Sequence, residues 1–420
     1  MSIMKKFLNI IIVALVVLTS FNLVSCSDDD FTPTIFDTTE HPLDPTSYTY
    51  PLDAFVRDNF LKPYNMRYLY RMEDIGSDMD YNLVPCSYEQ SLNLAVLCKY
   101  LWYDVYNEKV GDIFLKKYSP RIIHVIGSPA YNPTNHTETL GTAEGGLKIT
   151  LYNAENLSIN DIDYMNEYFF KTMHHEFSHI LNQNVNRPTD FDLISNGKYN
   201  TSSWSDTPDS VALGQGFVSP YASSQAREDW VEVIANYIVK DYKTWDNMLN
   251  TASYEWELVT DVDATYWYKL NSLCNRGLAN RDSVGYFVDV SSTAGGEAAT
   301  LKIARKLIQR DSDNKYAVPD PNTGGIVYLN TSGINGRDVI TRKLEMVREW
   351  LQTSFNFNLE EVRAEVQRRQ WMTDDAGNFI FDENGRYINR LTYVRPDGTT
   401  LMDELLEEIY KYKQDQNQGE

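Results

Sequence analysis

Histidine is scarce in this chain, with six in 420 residues, and cysteine scarcer still, with four. Basic residues are outnumbered, 38 Lys+Arg against 59 Asp+Glu, for a formal net charge of −21. A surface that acidic repels phosphate backbones, which excludes nucleic acid as a partner. The apolar run Phe7–Leu18 is twelve residues long, too short to span a bilayer comfortably. No internal repeat is visible. What is present is the mixture of a globular protein: 42% hydrophobic, 23% charged and 13% aromatic residues, 29 of them Tyr. That composition rules out a wholly disordered, collagen-like or coiled-coil chain. The length suits one large domain or two ordinary ones.

The N-terminus reads as an address. Lys5 and Lys6 precede the apolar run, as in a signal peptide. The run leads to Leu23-Val24-Ser25-Cys26, which resembles a bacterial lipobox whose Cys26 is lipidated and becomes the first mature residue. Ser27-Asp28-Asp29-Asp30 follows and resembles the surface-export signal of Bacteroidetes lipoproteins. Without residues 1–25 the balance becomes 36 basic against 59 acidic, or −23. Acyl chains would anchor such a protein without a transmembrane helix. Cys86, Cys98 and Cys274 remain. Cys86 and Cys98 can pair across a short loop, or Cys98 can be a buried free thiol in its apolar stretch.

The expected organisation is a signal peptide over 1–25, an acidic, Pro-containing tether over 26–50, a catalytic region over 51–242 and a mainly helical region over 243–420 packed on it. Leu92, Ala95, Val96, Cys98, Leu101, Trp102 and Val105 predict a helix over 87–106. Arg121–Gly127 reads as a buried strand, and Gly146–Tyr152, which alternates, as an edge strand. Asp161–Asn182 reads as a long helix with an acidic start. Glu297–Arg310, Arg337–Thr353 and Leu359–Trp371 show apolar spacings of three and four. Asn378–Ile388 reads as a hairpin turning at Asn384-Gly385.

Three of the six histidines fall in His174-His175-Glu176-Phe177-Ser178-His179. Residues four apart lie one helical turn apart on one face. His175 and His179 can therefore aim imidazole nitrogens at one Zn²⁺, with Glu176 beside the metal as a base. Zinc lowers the pKa of water from 15.7 to about 7, which makes hydroxide available at neutral pH. His174 points off that face and reads as a core histidine or a support to the ligands. A catalytic zinc takes three protein ligands. The positions three and six after His179 are Asn182 and Val185, so the third ligand must come from elsewhere. The candidate helix is Ser223–Ile238, which Ser223 or Ser224 can cap. Glu228 and Glu232 share one of its faces: one carboxylate can bind zinc while the other orients a ligand histidine. Asp229 faces elsewhere.

Tyr221, Glu228 and Glu232 stand at spacings similar to those of gluzincin-type metallopeptidases, especially the anthrax lethal factor and Pro-Pro endopeptidase group. The resemblance implies Glu228 as the ligand, Glu232 as its supporting carboxylate and Tyr221 as a hydrogen-bond donor to the transition-state oxyanion. A broader resemblance rests on the lipobox, the Gly-rich strand, His-Glu-Phe-Ser-His and the stretch Ile334–Trp350. These resemble the substrate import-associated zinc metallohydrolase lipoproteins of Bacteroidetes. The implied fold is α+β and zincin-like. It has an upper half of mixed sheet and helix, an active-site helix, and a mainly helical lower, C-terminal half.

The implied protein is a zinc metalloendopeptidase-like hydrolase on the cell surface, held in outer-membrane lipid through acylated Cys26. It would act on a peptide or protein substrate and associate with an outer-membrane nutrient import complex. The peptide is expected to lie along Gly146–Tyr152. The alternative is a surface glycan- or peptide-binding lipoprotein with a vestigial zinc site, for which the Tyr and Trp content would supply stacking surfaces. Asp209-Ser-Val and Asp282-Ser-Val resemble Bacteroidetes O-glycosylation sites.

Overall fold

The computed structural model describes residues 43–72, 83–131, 138–139, 141–144, 148–259, 286–291, 300–307, 313, 315–319, 323 and 325–416. The proposed signal peptide, Cys26, Ser27–Asp30, His41, His136, Cys274 and Asp282 lie outside them. A compact unit runs from Tyr48 to Glu420. Helices and small sheets are mixed within it.

The helix over 88–109 starts where Ser87 accepts a hydrogen bond from the Gln90 amide. It runs through a π-helical turn, Lys99–Tyr103, and buries Leu101, Trp102, Val105 and Tyr106. A second long helix starts at Asp161, whose carboxylate accepts from the Tyr164 amide at 2.9 Å. It also passes through a π-helical turn, Asn166–Phe170, before the segment Lys171–Asn184, called here the motif helix. Aliphatic and aromatic residues at helical spacing, including Met173, Phe177, Ile180 and Leu181, bury its apolar sides.

The main sheet has β1 (Arg67–Leu69), β2 (Ile122–Val125), β5 (Gly141–Glu144) and β6 (Lys148–Leu151). Its order is β1-β2-β6-β5. The first two pairings are parallel and the last, β5 with β6, is antiparallel. β3 (Ala130–Tyr131) and β4 (Glu138–Thr139) form a separate pair. The structure corrects the reading of 146–152 as an edge strand. β6 is interior, bonded to β2 on one side and β5 on the other, and Ile149, Thr150 and Leu151 are all buried. The alternation of Lys-Ile-Thr-Leu misled because Thr150 is itself covered. β5 is the outer strand, and both β5 and β6 pack near the motif helix.

A third element bears on the site. The helix Ala226–Val239, here the carboxylate helix, packs along the motif helix. Neither Ser223 nor Ser224 caps it. Its N-cap is Gln225 in extended backbone, without a side-chain cap. The serines instead belong to a preceding 3₁₀ turn, Tyr221–Ser224, and the Ser223 hydroxyl donates to the Pro220 carbonyl at 2.6 Å. A local bond within the turn thus wins the hydroxyl that a cap would need.

Residues 243–420 include strands as well as helices. The described part of Glu297–Arg310 is not helical but strand β9 (Thr300–Leu307), paired between β7 (Glu255–Val259) and β8 (Tyr286–Ser291). Leu301, Ile303 and Leu307 satisfy a period of two as well as a helical one, and the sheet partners decided between them. β10 (Tyr316–Pro319) and β11 (Ile326–Leu329) form a further pair. The helices Gly336–Phe355 and Leu359–Gln370 follow and pack on the carboxylate helix. Gly336 is required by close approach, because a Cβ there would overlap the Leu213 carbonyl oxygen. Gly385, at φ +70°, closes the turn after Phe381, which pairs with Tyr387. One core cluster includes Leu52, Trp102, Phe177, Trp230, Trp350 and Ile409, so the hydrophobic contacts run across position 242. Among the described residues, no helix is long and apolar enough to cross a membrane.

Cys86 and Cys98 are both free and buried. Cys98 rests 3.7 Å from the Met173 sulfur. Ser210, of the first glycosylation-like triplet, is buried in the helix Asp209–Gly214, where a glycan has no room.

Candidate metal centre

One helical turn brings His175 and His179 to the same face of the motif helix, with ring centroids 4.9 Å apart. Across from them the carboxylate helix presents Glu228. Its Oε2 lies 3.2 Å from His175 Nε2 and 3.1 Å from His179 Nε2. One ligand atom from each of the three residues lies within 4.8 Å of the others. Four donors placed tetrahedrally at the 2.0–2.1 Å usual for zinc stand about 3.3–3.4 Å apart. The two carboxylate–imidazole separations are close to that spacing, and the donor set of two imidazoles and one carboxylate suits zinc. The residues therefore fit the metal.

The surrounding groups orient these donors. Glu228 Oε1 accepts from Arg227 Nε at 3.1 Å and Gln225 Nε2 at 3.4 Å, which turns Oε2 toward the histidines. Glu232, one turn further along the carboxylate helix, lies 2.8 Å from His175 Nδ1. It also accepts from Ser219 Oγ at 2.6 Å and Asn236 Nδ2 at 3.1 Å. A carboxylate on Nδ1 fixes the tautomer and leaves Nε2 as the ligand atom. Burial raises the pKa of Glu232. The positive charge of Lys171, then the bond to His175, outweigh burial and hold it at about 2. Glu228 is also held below the usual range, because its bonds to His175 and His179 outweigh burial. Burial lowers the pKa of His175, but the flanking Glu228 and Glu232 raise it to about 10.

Glu176 is buried beside the pair. Burial pushes its pKa up, against the pull of His175 and His179. Tyr221 is 37% exposed. Its ring lies 5.8 Å from the His175 ring, and burial followed by the Glu228 carboxylate raises its pKa. The phenol is therefore protonated, and a donor, at neutral pH. The motif helix, the carboxylate helix and the 3₁₀ turn before it thus bring together Glu176, His175, His179, Glu228, Glu232 and Tyr221. His174 is outside the cluster. It is buried with Nδ1 2.9 Å from Tyr106 Oη, and burial lowers its pKa to about 3. His124 is buried in β2.

Several supports had no signal in the motif. Asn236 stands four residues after Glu232 and Lys171 four before His175, so helical spacing points to both; Ser219, outside either helix, has no such signal. Asp229 does face away from the histidines, and the structure shows to what. Its Oδ2 meets Lys343 Nζ at 2.6 Å, with both side chains fully buried. Lys343 also donates to the Gly216 carbonyl at 2.7 Å, and Tyr199 Oη donates to Asp229 at 3.0 Å. This pair ties the carboxylate helix to the helix Gly336–Phe355.

Comparison with known proteins agrees with this chemistry. Residues 46–360 match the model of a family described as "Putative zinc-binding metallo-peptidase". The chain is also similar to a crystal structure of the same description from Bacteroides caccae. The two are 30% identical with a TM-score of 0.51, over 76% of this chain and 91% of that one. No curated protein matches.

Proposed function

The chain belongs to this zinc-binding metallo-peptidase family, and from that premise we propose that it hydrolyses peptide bonds as a gluzincin-like endopeptidase. The observation that carries the reading is the spacing of His175, His179 and Glu228 around one point, with buried Glu176 beside it. Zinc held there would polarise a peptide carbonyl and lower the pKa of water to about 7.

The chain's own residues do the rest. Glu176 takes the proton of the attacking water and passes it to the leaving amine. Burial raises its pKa above the usual carboxylate value, the direction a proton-accepting base needs. Tyr221 donates a hydrogen bond to the oxyanion that develops on the attacked carbonyl. Glu232 keeps His175 in its ligating tautomer. The substrate strand adds to β5, the outer strand of the main sheet, since both edges of β6 are taken.

The proposed setting is the cell surface. Lys5–Leu18 with Leu23–Cys26 supports lipid anchoring in the outer membrane, and Ser27–Asp30 supports export. Association with a nutrient import complex rests on the family resemblance.

The test is digestion of a mixed synthetic peptide library by purified, zinc-loaded protein, read by mass spectrometry. Cleavage that a chelator abolishes and zinc restores is expected. A zinc-replete protein that cleaves nothing would turn the reading toward a binding lipoprotein. Glu228→Ala should lose zinc in elemental analysis, because two imidazoles remain where three ligands are needed. Full zinc retention would move the third ligand elsewhere.

A further inference from the structure

The proposed donor Tyr221 is exposed and lies on a short 3₁₀ turn, which by itself would leave its ring free to swing. Its ring is instead enclosed on two sides. The His175 ring lies 5.8 Å away at 35°, and the Trp204 ring lies 4.9 Å away, edge-on at 73°. An edge-to-face contact at this distance has a defined geometry.

Trp204 is itself held. The segment 199–204 is tied to the stretch that carries Tyr221 and Glu228 at three points. The Asn200 amide donates to the Ser223 carbonyl at 2.7 Å. Thr201 Oγ1 donates to the Ser224 carbonyl at 3.0 Å. Tyr199 Oη donates to Asp229, the neighbour of Glu228 in sequence. Asn200 Oδ1 then accepts from both the amide and the hydroxyl of Ser203, at 3.2 and 3.0 Å, which shapes the turn that presents Trp204. Two of the three ties go to backbone carbonyls of Tyr221's own 3₁₀ turn. The segment and that turn are therefore registered to each other.

We infer that Trp204 is a positioning residue for Tyr221, and that segment 199–204 is a strap holding the phenol ring in place over His175. The inference rests on the peptidase reading for its consequence in catalysis. It does not rest on that reading for the ring geometry, and the experiment separates the two.

The first arm needs no turnover. The protein is labelled with 3-fluorotyrosine, and the resonance of residue 221 is assigned by its loss in Tyr221→Phe. Trp204→Leu should shift that resonance, through the lost ring current, and change its width as the ring is freed. An unmoved resonance overturns the inference.

The second arm uses the fastest-cleaved library peptide. Trp204→Leu should lower kcat about tenfold, with KM and zinc content unchanged, because a displaced donor loses alignment. Trp204→Phe should recover most of the rate. In the Tyr221→Phe background, Trp204→Leu should cost nothing further. An equal loss in that background overturns the inference, since Trp204 would then act through something else. If Tyr221→Phe itself cleaves at the wild-type rate, Tyr221's role as donor falls, and the first arm alone judges the strap. Should Trp204→Leu fail to fold, Thr201→Val provides the same test by removing one tie. It should move the resonance in the same direction, and an unmoved resonance again overturns the strap.

Discussion

Glu176→Gln should retain its zinc and lose turnover by roughly 10²–10⁴-fold, the contribution typical of a general acid–base group. The geometry motivates both halves of this result. Glu176 follows His175 directly on the motif helix, yet the zinc-fitting donors come from His175, His179 and Glu228. The amide of Gln has nearly the carboxylate's shape, so the buried pocket is not emptied. What it loses is the capacity to accept a proton and return it. Elemental analysis and kcat on one cleaved peptide, measured on the same preparation, check the two halves separately. A variant that cleaves as fast as wild type would remove Glu176 from the mechanism. One that is inactive because its zinc is gone would make Glu176 part of the metal's support.

Lys343→Met is expected to destabilise the fold by about 3–5 kcal/mol, the cost of stranding one partner of a buried ion pair. Lys343 and Asp229 are both fully buried and 2.6 Å apart, so without the lysine the carboxylate keeps the Tyr199 hydroxyl but loses its counter-charge away from water. The Gly216 carbonyl loses a donor in the same step. Burial acts on both partners against charge, lowering the Lys343 pKa and raising that of Asp229, while their mutual attraction opposes it. The double variant Lys343→Met, Asp229→Leu should regain much of the loss, because a hydrophobic pair of similar volume often replaces a buried ion pair at little cost. Denaturant unfolding of the single and double variants measures this. A single variant within about 1 kcal/mol of wild type, on the scale of an exposed pair, would mean the pair is not isolated from solvent. Asp229→Ala should be comparably destabilised, since it strands the lysine.

The two variants fail in different ways, and the difference bears on the site. Glu176 acts on the reacting atoms and contributes little to holding the helices together. Lys343 is far along the chain and touches no proposed ligand. It nonetheless sets where the carboxylate helix stands, because Asp229 is adjacent to Glu228. Loss of Lys343 should therefore weaken zinc retention only as the fold loosens.

Much of the candidate site was legible in the sequence. His-x-x-x-His needs only a helix to become a paired site, and Met173, Phe177, Ile180 and Leu181 supplied the helix pattern. Glu228 and Glu232 shared a face by the same arithmetic. Less legible were properties set by neighbours distant in sequence. Lys-Ile-Thr-Leu over 148–151 alternates like an edge strand, but strands from both sides claim it. Residues 300–307 fit two periods, and only pairing with β7 and β8 chose the strand. Ser223 could cap a helix, yet a nearer carbonyl took its hydroxyl.

The sequence by itself determined the local chemistry: two imidazoles one turn apart, a carboxylate between them, and a second helix with two acids on one face. Those facts follow from covalent spacing and helical geometry, which are the same in every protein. Spacing left open which carboxylate meets the imidazole Nε2 atoms and which meets Nδ1; the family resemblance implied an answer, but the contact itself depends on the register between two helices. The tertiary structure also paired Lys343 with Asp229 over more than a hundred residues and set Trp204 against Tyr221. Such contacts arise when packing closes the core, and no periodicity within one element records them.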